Sequence, residues 1–302
     1  NHPLVWSLLI TTLATSTIIT MASNHWLLAW MGLELNTLSI LPIIIKPHHP
    51  RAKEAATKYF LIQATAAALI MCASTLNAWQ TGHWSLINSP SNLTTTVLTM
   101  AIMLKLGLAP AHLWYPEVLQ GVTMTTAMII TTWQKIAPLT LLYLTHHYLN
   151  TNTLLMVGLT SALIGGWTGL NQTQTRKLMA FSSIAHMGWL ITALAMNPSL
   201  ATLTILTYML MTTTTFMALN TTKTKTISDL GTVWPHSPTL MTTTMLSLMS
   251  LAGLPPLSGF MPKWLILKEL TSNQLPMFST MLLMATLPSM FFYIRMAYMT
   301  VL

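Results

Sequence analysis

The run LGLAPAHLWYPE at residues 106–117 and the run AGLPPLSGFMPK at residues 252–263 decide the architecture of this chain. Aligned, they match Gly107 with Gly253, Pro110 with Pro256 and Pro116 with Pro262, and a charged residue follows the last proline in each, Glu117 and Lys263. Each run interrupts a long apolar stretch. Proline lacks the N–H that a helix interior needs, so both runs read as helix breaks. Paired Gly/Pro-interrupted segments in two halves of an apolar chain point to internal repeats with broken membrane helices.

The flanking sequence supports that reading. Of 302 residues, 13 are basic and 5 acidic, so 6% are charged against roughly a quarter in a typical soluble domain. Mean hydropathy is +0.59. Residues 1–33, 61–104, 136–175, 178–222, 230–262 and 270–294 carry no Asp, Glu, Lys or Arg. Each stretch is long enough for one or two spans of about 20 residues. Backbone polar groups in hydrocarbon need internal partners, and the apolar runs lack the alternation of barrel strands, so the spans are helices. Helices are expected near 4–22, 25–45, 57–78, 93–120, 124–145, 153–170, 178–196, 200–219, 238–271 and 276–299. The fold expected is an all-α membrane protein of about ten transmembrane helices, a single polytopic domain over 1–302. Approximate repeats cover 1–145 and 153–299. Four helices separate the two broken ones, so these run in opposite senses and the repeats are inverted.

Charge placement fits ten crossings. With the N-terminus inside, the inner side holds Lys46, Arg51, Lys53, Lys58, Arg176, Lys177, Lys223, Lys225 and Arg295, whereas outer loops near 79–92, 146–152, 197–199 and 272–275 hold no Lys or Arg. Only Lys268, beside Glu269, dilutes the pattern. The formal charge of +8 is therefore a membrane signature and gives no support for nucleic acid as a partner. No Lys or Arg precedes Lys46, which argues against a signal or transit peptide. Cys72 stands alone, so no internal disulfide or iron–sulfur ligation is expected, and no Gly-rich phosphate loop follows a strand. Trp26, Trp30, Trp79 and Trp84 suit an interfacial belt.

The candidate chemistry lies in isolated charges. Glu34 sits midway along the second expected helix, Lys105 just before the first break, Lys135 inside the fifth helix and Lys263 after the second break. Ionisable groups in a span are costly to insert and by default mark ion or proton pathways. Lysine suits such work, because a dry site disfavours its charged form and a neighbouring carboxylate favours it. The plainer readings are a structural ion pair for Glu34, snorkelling for Lys135, and capping of proline-freed carbonyls for Lys105 and Lys263. His112 in the first break and His186 in the seventh helix titrate near neutral pH and are relay candidates. His48–His49 and His146–His147 read as solvated loop residues, Glu54 as a loop salt bridge and Asp229 as a cap. These features alone reach an ion-translocating membrane protein. A stand-alone cation/proton antiporter and a structural scaffold are alternatives.

The runs HWLLAWMGLELN (25–36), PRAKEAATKYFLIQA (50–64), MLKLGLAPAHLWYPEVLQG (103–121), TWQKIAPL (132–139), LMAFSSIAHMGW (178–189) and LAGLPPLSGFMPKWLILKEL (251–270) resemble, collinearly, the vertebrate-type antiporter-like membrane subunits of mitochondrial respiratory complex I. The resemblance implies a proton-translocating subunit of the NADH–ubiquinone oxidoreductase membrane arm in the mitochondrial inner membrane. It places Glu34, Lys105, Lys135 and Lys263 on the intramembrane proton pathway. It implies no cofactor on this chain, with NADH, FMN, iron–sulfur clusters and ubiquinone handled by other subunits. Expected partners are other membrane-arm subunits, accessory subunits and phospholipid. The family pattern also implies one more helix beyond Leu302, and a Met before Asn1.

Overall fold

A computed structural model describes residues 3–86, 91–235 and 237–301. Residues 87–90 of the expected outer loop 79–92 lie outside this range. Helices dominate, and the chain divides into two compact units, Asn1–Asn150 and Thr151–Leu302.

The first unit contains α1 (Pro3–Met21), α2 (Trp26–Ile45), α3 (Pro50–Thr81), α4 (Asn92–Leu106), α5 (Trp114–Gly121), α6 (Met124–Thr131) and α7 (Trp133–Thr145). The second contains α8 (Thr151–Gly169), α9 (Thr175–Met196), α10 (Pro198–Thr222), the short α11 (Ile227–Gly231), α12 (Pro238–Ala252), α13 (Phe260–Ser272) and α14 (Pro276–Val301). Six helices, α1, α2, α3, α9, α10 and α14, are individually long and apolar enough to cross a membrane. With α8 and the interrupted pairs α4–α5, α6–α7 and α12–α13, the described residues form the ten expected rods.

Both expected breaks are present and share one geometry. Gly107 (φ 70°) and Gly253 (φ 83°) sit in the left-handed region just past α4 and α12. Leu108 N–H bonds back to Met103 O at 3.0 Å, and Leu254 N–H to Met249 O at 3.4 Å, which is the six-to-one closure of a glycine-ended helix. The next helices restart with proline at their third residue, Pro116 and Pro262, where the missing N–H has no intrahelical acceptor to lose. Each break also carries one cis X–Pro bond, at Ala109–Pro110 and Pro255–Pro256.

Another correspondence joins the loops of each unit. In the first, Trp26 N–H donates to Trp84 O and Leu86 N–H to Asn24 O; in the second, Thr175 N–H donates to Lys225 O and Ile227 N–H to Thr173 O. The segment entering α2 is thus tied to the segment leaving α3, and α9 and α10 repeat the arrangement.

Two expectations need correction. The third helix starts at Pro50 rather than near 57, because the His49 side chain accepts the Arg51 N–H as an N-cap and Pro50 occupies the first turn. Arg51, Lys53, Glu54 and Lys58 are therefore helical, and Lys58 pairs with Glu54 and with Glu117 of α5, each at 2.6 Å. The fifth rod is interrupted at Thr132 rather than continuous. At the end of α6 the Thr132 hydroxyl and N–H both bond Met128 O, at 2.7 and 3.0 Å, and Lys135 becomes the third residue of α7.

Packing follows membrane rules. The buried face of α3 is small-residue rich, with Ala52, Ala55, Ala56, Ala66, Ala67 and Ala73, and α8 brings Gly158 and Gly165 against α9. α9 is the buried centre of its unit. Three of its hydroxyls bond their own helix: Ser182 to Met179 O, Ser183 to Ala180 O and Thr192 to Trp189 O, at 2.7–2.8 Å. Arg295 of α14 caps the end of α8, donating to Leu170 O at 3.0 Å and Gln172 O at 2.5 Å.

Asp229 caps α11 as expected, in a capping box with Thr226. Its carboxylate accepts from Thr226 N–H at 2.8 Å and Lys225 N–H at 3.1 Å, and these bonds hold it below the usual carboxylate range. A depressed carboxyl stabilises the fold above its ordinary value of about 3.9 and loses that contribution as pH falls through its folded value. At neutral pH, Asp229→Ala should speed hydrogen exchange at the Lys225 and Thr226 amides, read by mass spectrometry. Gly253→Ala should destabilise the protein by about 1–2 kcal/mol through its backbone conformation. It should lower the thermal inactivation temperature more than Gly82→Ala, because a Cβ at 253 meets the Lys263 ammonium whereas one at 82 (φ 74°) meets open space.

Candidate functional site

Each unit has a cavity beside its broken helix. In the first unit, Lys105 is the penultimate residue of α4 and 6% exposed, and Lys135 at the start of α7 is 4% exposed. Both line one narrow cavity, together with Leu33, Asn36, Tyr59, Gln63, Trp114, Tyr115 and Gln134. It has room for about one water molecule.

Charge enters this cavity without a direct carboxylate contact. Lys105 Nζ lies 3.5 Å from Leu33 O on α2, a long contact for an ammonium donor. The half-buried Glu34 is the next residue on that helix, and its charge acts on Lys105. Its carboxylate accepts a hydrogen bond from Thr37 Oγ1 at 3.0 Å. Lys135 Nζ sits 5.0 Å from the centre of the Tyr115 ring, within cation–π range. The structure thus brings Glu34, Lys105 and Lys135 into one neighbourhood. Snorkelling does not describe Lys135, which is buried at the cavity wall.

Neutral polar groups complete the lining, and these are the residues that sequence reasoning missed. Gln63 Nε2 donates to Lys105 O at 3.2 Å, covering a carbonyl exposed by the break. Gln134 Nε2 donates to Asn36 Oδ1 at 3.2 Å, and Tyr59 Oη approaches Gln134 Oε1 at 3.4 Å. The Trp114 indole N–H is buried without a protein acceptor. Amides and indoles carry no charge to stand out in an apolar run. Their one sequence signal is polar spacing on α3, where Tyr59 and Gln63 are four residues apart on the buried face.

The second unit uses its charge differently. Lys263 is half-buried at the fourth residue of α13 and folds back onto the end of α12, donating to Ala252 O at 2.9 Å and Leu251 O at 3.5 Å. The capping reading describes this contact: the ammonium meets carbonyls freed at the break, at the negative end of the α12 dipole. Lys263 and His186 together line two cavities, one bounded by Thr204, Thr207 and Tyr208, the other by Ser289 and Tyr293. The His186 ring lies 5.6 Å from that of Tyr208 and 6.3 Å from that of Tyr293.

His112 is placed elsewhere. It is buried within the α4–α5 break, a ring nitrogen 3.2 Å from Pro110 O, and is not among the residues lining the Lys105–Lys135 cavity. Among the described residues, His, Cys, Asp and Glu form no group of three or more suited to a metal ion.

Several known proteins are similar to this chain in sequence or in fold. NADH-ubiquinone oxidoreductase chain 2 of Salmo salar is 53% identical over 297 residues, covering 98% of this chain and 85% of the relative. The protein of the same name from Xenopus laevis is 51% identical over 301 residues, covering 100% and 87%. Among solved structures, respiratory complex I from Thermus thermophilus with bound aureothin superposes with a TM-score of 0.91 at 26% identity, covering 98% of this chain and 70% of that one. The Mrp complex from Dietzia sp. shares the fold at a TM-score of 0.87 and 14% identity, covering 95% and 59%. The family model described as NADH:quinone oxidoreductase/Mrp antiporter, TM, matches residues 23–289, so the chain belongs to that family and stands with its NADH-ubiquinone oxidoreductase chain 2 members.

Proposed function

We infer that this chain is the chain 2 subunit of the membrane arm of NADH–ubiquinone oxidoreductase, a multi-pass protein of the mitochondrial inner membrane that takes part in proton translocation. The observation that carries the reading is a lysine at a cavity beside a broken helix in each unit, in a chain about half identical to its curated relatives. Its partners are the other subunits of that complex. Accessory subunits and phospholipid suit its exposed apolar side chains, such as Leu4, Leu8, Met277 and Met284. NADH oxidation and ubiquinone reduction, with FMN and the iron–sulfur clusters, belong to other subunits in this reading, and this chain carries no redox centre.

The chemistry proposed for the chain is proton storage and transfer by lysine. Glu34 biases the charge state of Lys105 from a neighbouring position on α2. A change in that bias, set by electron transfer elsewhere in the complex, releases the Lys105 proton into the cavity, where Lys135 receives it. His186 and Lys263 form the corresponding station of the second unit, with the α12 carbonyls in place of a carboxylate. Moving one charge against 100 mV costs about 2.3 kcal/mol, so each transfer needs a gate, and the narrow cavity supplies one by admitting so little water.

Two measurements test this. In the assembled complex, Lys105→Ala or Glu34→Gln should abolish proton translocation coupled to NADH oxidation, and full pumping in both variants overturns the reading. Lys263→Gln keeps a donor for Ala252 O but cannot titrate. It should therefore assemble normally and lose coupled pumping, whereas unchanged pumping reduces Lys263 to a helix cap.

A further inference from the structure

The cavity between Lys105 and Lys135 is bounded by more polar groups than the two lysines need. Gln134 is the residue beside Lys135, and its carboxamide reaches away from α7 to Asn36 on α2 and Tyr59 on α3. Pro138 has no N–H, so the Gln134 carbonyl lacks the usual donor four residues on. The preceding turn is interrupted at Thr132. The backbone ladder therefore holds the start of α7 weakly, and the side-chain bond to Asn36 supplies the missing tie. Across the cavity, the buried Trp114 N–H has no protein acceptor, and the Lys105 ammonium has one long contact. A water molecule in this space would meet the lysines and the Gln134 amide, which gives the two to four polar partners that a buried water requires.

We propose that Gln134, anchored by Asn36 and Tyr59, is a positioning residue that holds the water through which a proton passes from Lys105 to Lys135. In this step the Lys105 ammonium gives a proton to the water, and the water gives one of its own to the Lys135 amine. Lys105 ends as the neutral amine, Lys135 as the ammonium, and the water is unchanged. The amide itself carries no proton; it orients the water and fixes α7, which bears Lys135, against α2, which bears Glu34. The inference rests on the proton-transfer reading above and adds the group that makes the transfer geometrically possible.

The test uses the assembled complex carrying Gln134→Leu or Gln134→Glu, with Lys105→Ala alongside. Gln134→Leu should lower coupled turnover about fivefold, the rate equivalent of one neutral hydrogen bond. Gln134→Glu keeps the shape and, while protonated, the bonds to Asn36 and Tyr59. The titratable groups facing it are Tyr59 of α3, Lys105 of α4, Tyr115 of α5 and Lys135 on its own helix, with Glu34 nearby on α2. Its turnover should approach the parent at acid pH and collapse as the new carboxyl ionises and traps protons on the lysines. A purely structural amide would give no such pH profile. If Lys105→Ala abolishes pumping while Gln134→Leu matches the parent in rate and pH profile, the inference fails and the wider reading stands. If Lys105→Ala also pumps fully, the wider reading fails first. Should Gln134→Leu not assemble, the Gln134→Glu profile decides: coincidence with the parent overturns the proposal, and the acid-only activity supports it.

Discussion

The unsatisfied carbonyl at the end of an interrupted helix is the constraint from which the rest follows. A helix that stops inside hydrocarbon leaves carbonyls with no donor four residues on, and each costs free energy unless another group reaches it. Gly107 and Gly253 impose that stop on α4 and α12. In one unit the Gln63 amide meets Lys105 O; in the other the Lys263 ammonium meets Ala252 O and Leu251 O. Polar side chains must therefore converge beside the breaks, and once they are there a cavity that tolerates charge is the natural result.

The two units meet the same backbone problem with different donors, a neutral amide in one and an ammonium in the other. Position 263, after the shared proline, holds a lysine directed at carbonyls. Its counterpart is Glu117, whose carboxylate lies half exposed and pairs with Lys58 of α3. The first unit is consequently clamped at its rim and keeps its lysine on α4, free to face Glu34 and Lys135. The second is clamped through the lysine itself. The Gly/Pro runs fix where the breaks fall, and side-chain identity decides which group meets the carbonyls there.

Much of this was legible in the sequence because charge is conspicuous in an apolar chain. Glu34, Lys105, Lys135 and Lys263 each stand nearly alone in a span, and the Gly/Pro pattern placed both breaks within the runs 106–117 and 252–263. The interruption at Thr132 was not legible, since no glycine or proline stands at the break, and Pro138, which leaves the Gln134 carbonyl without its donor, lies six residues on. The early start of α3 depended on a histidine cap, a residue type outside the usual capping set. Asn36, Gln63, Trp114 and Gln134 were invisible for a different reason. A neutral polar residue in a threonine-rich membrane chain looks like any other, and only its neighbours show that it faces a cavity. His112 shows the converse: a titratable side chain beside a break can be occupied by the local backbone.

The hydroxyl groups of α9 bear on electrical insulation. A membrane that stores a voltage treats every pump embedded in it as a possible short circuit, and a row of serines and threonines down a buried helix would be an obvious conductor. Ser182, Ser183 and Thr192 each spend their hydrogen on a carbonyl of their own helix. A hydroxyl so engaged is not free to hand a proton to the next. The helix keeps the polarity its sequence carries without lining up these three hydroxyl protons, and the titratable side chain it brings to the Lys263 cavities is His186.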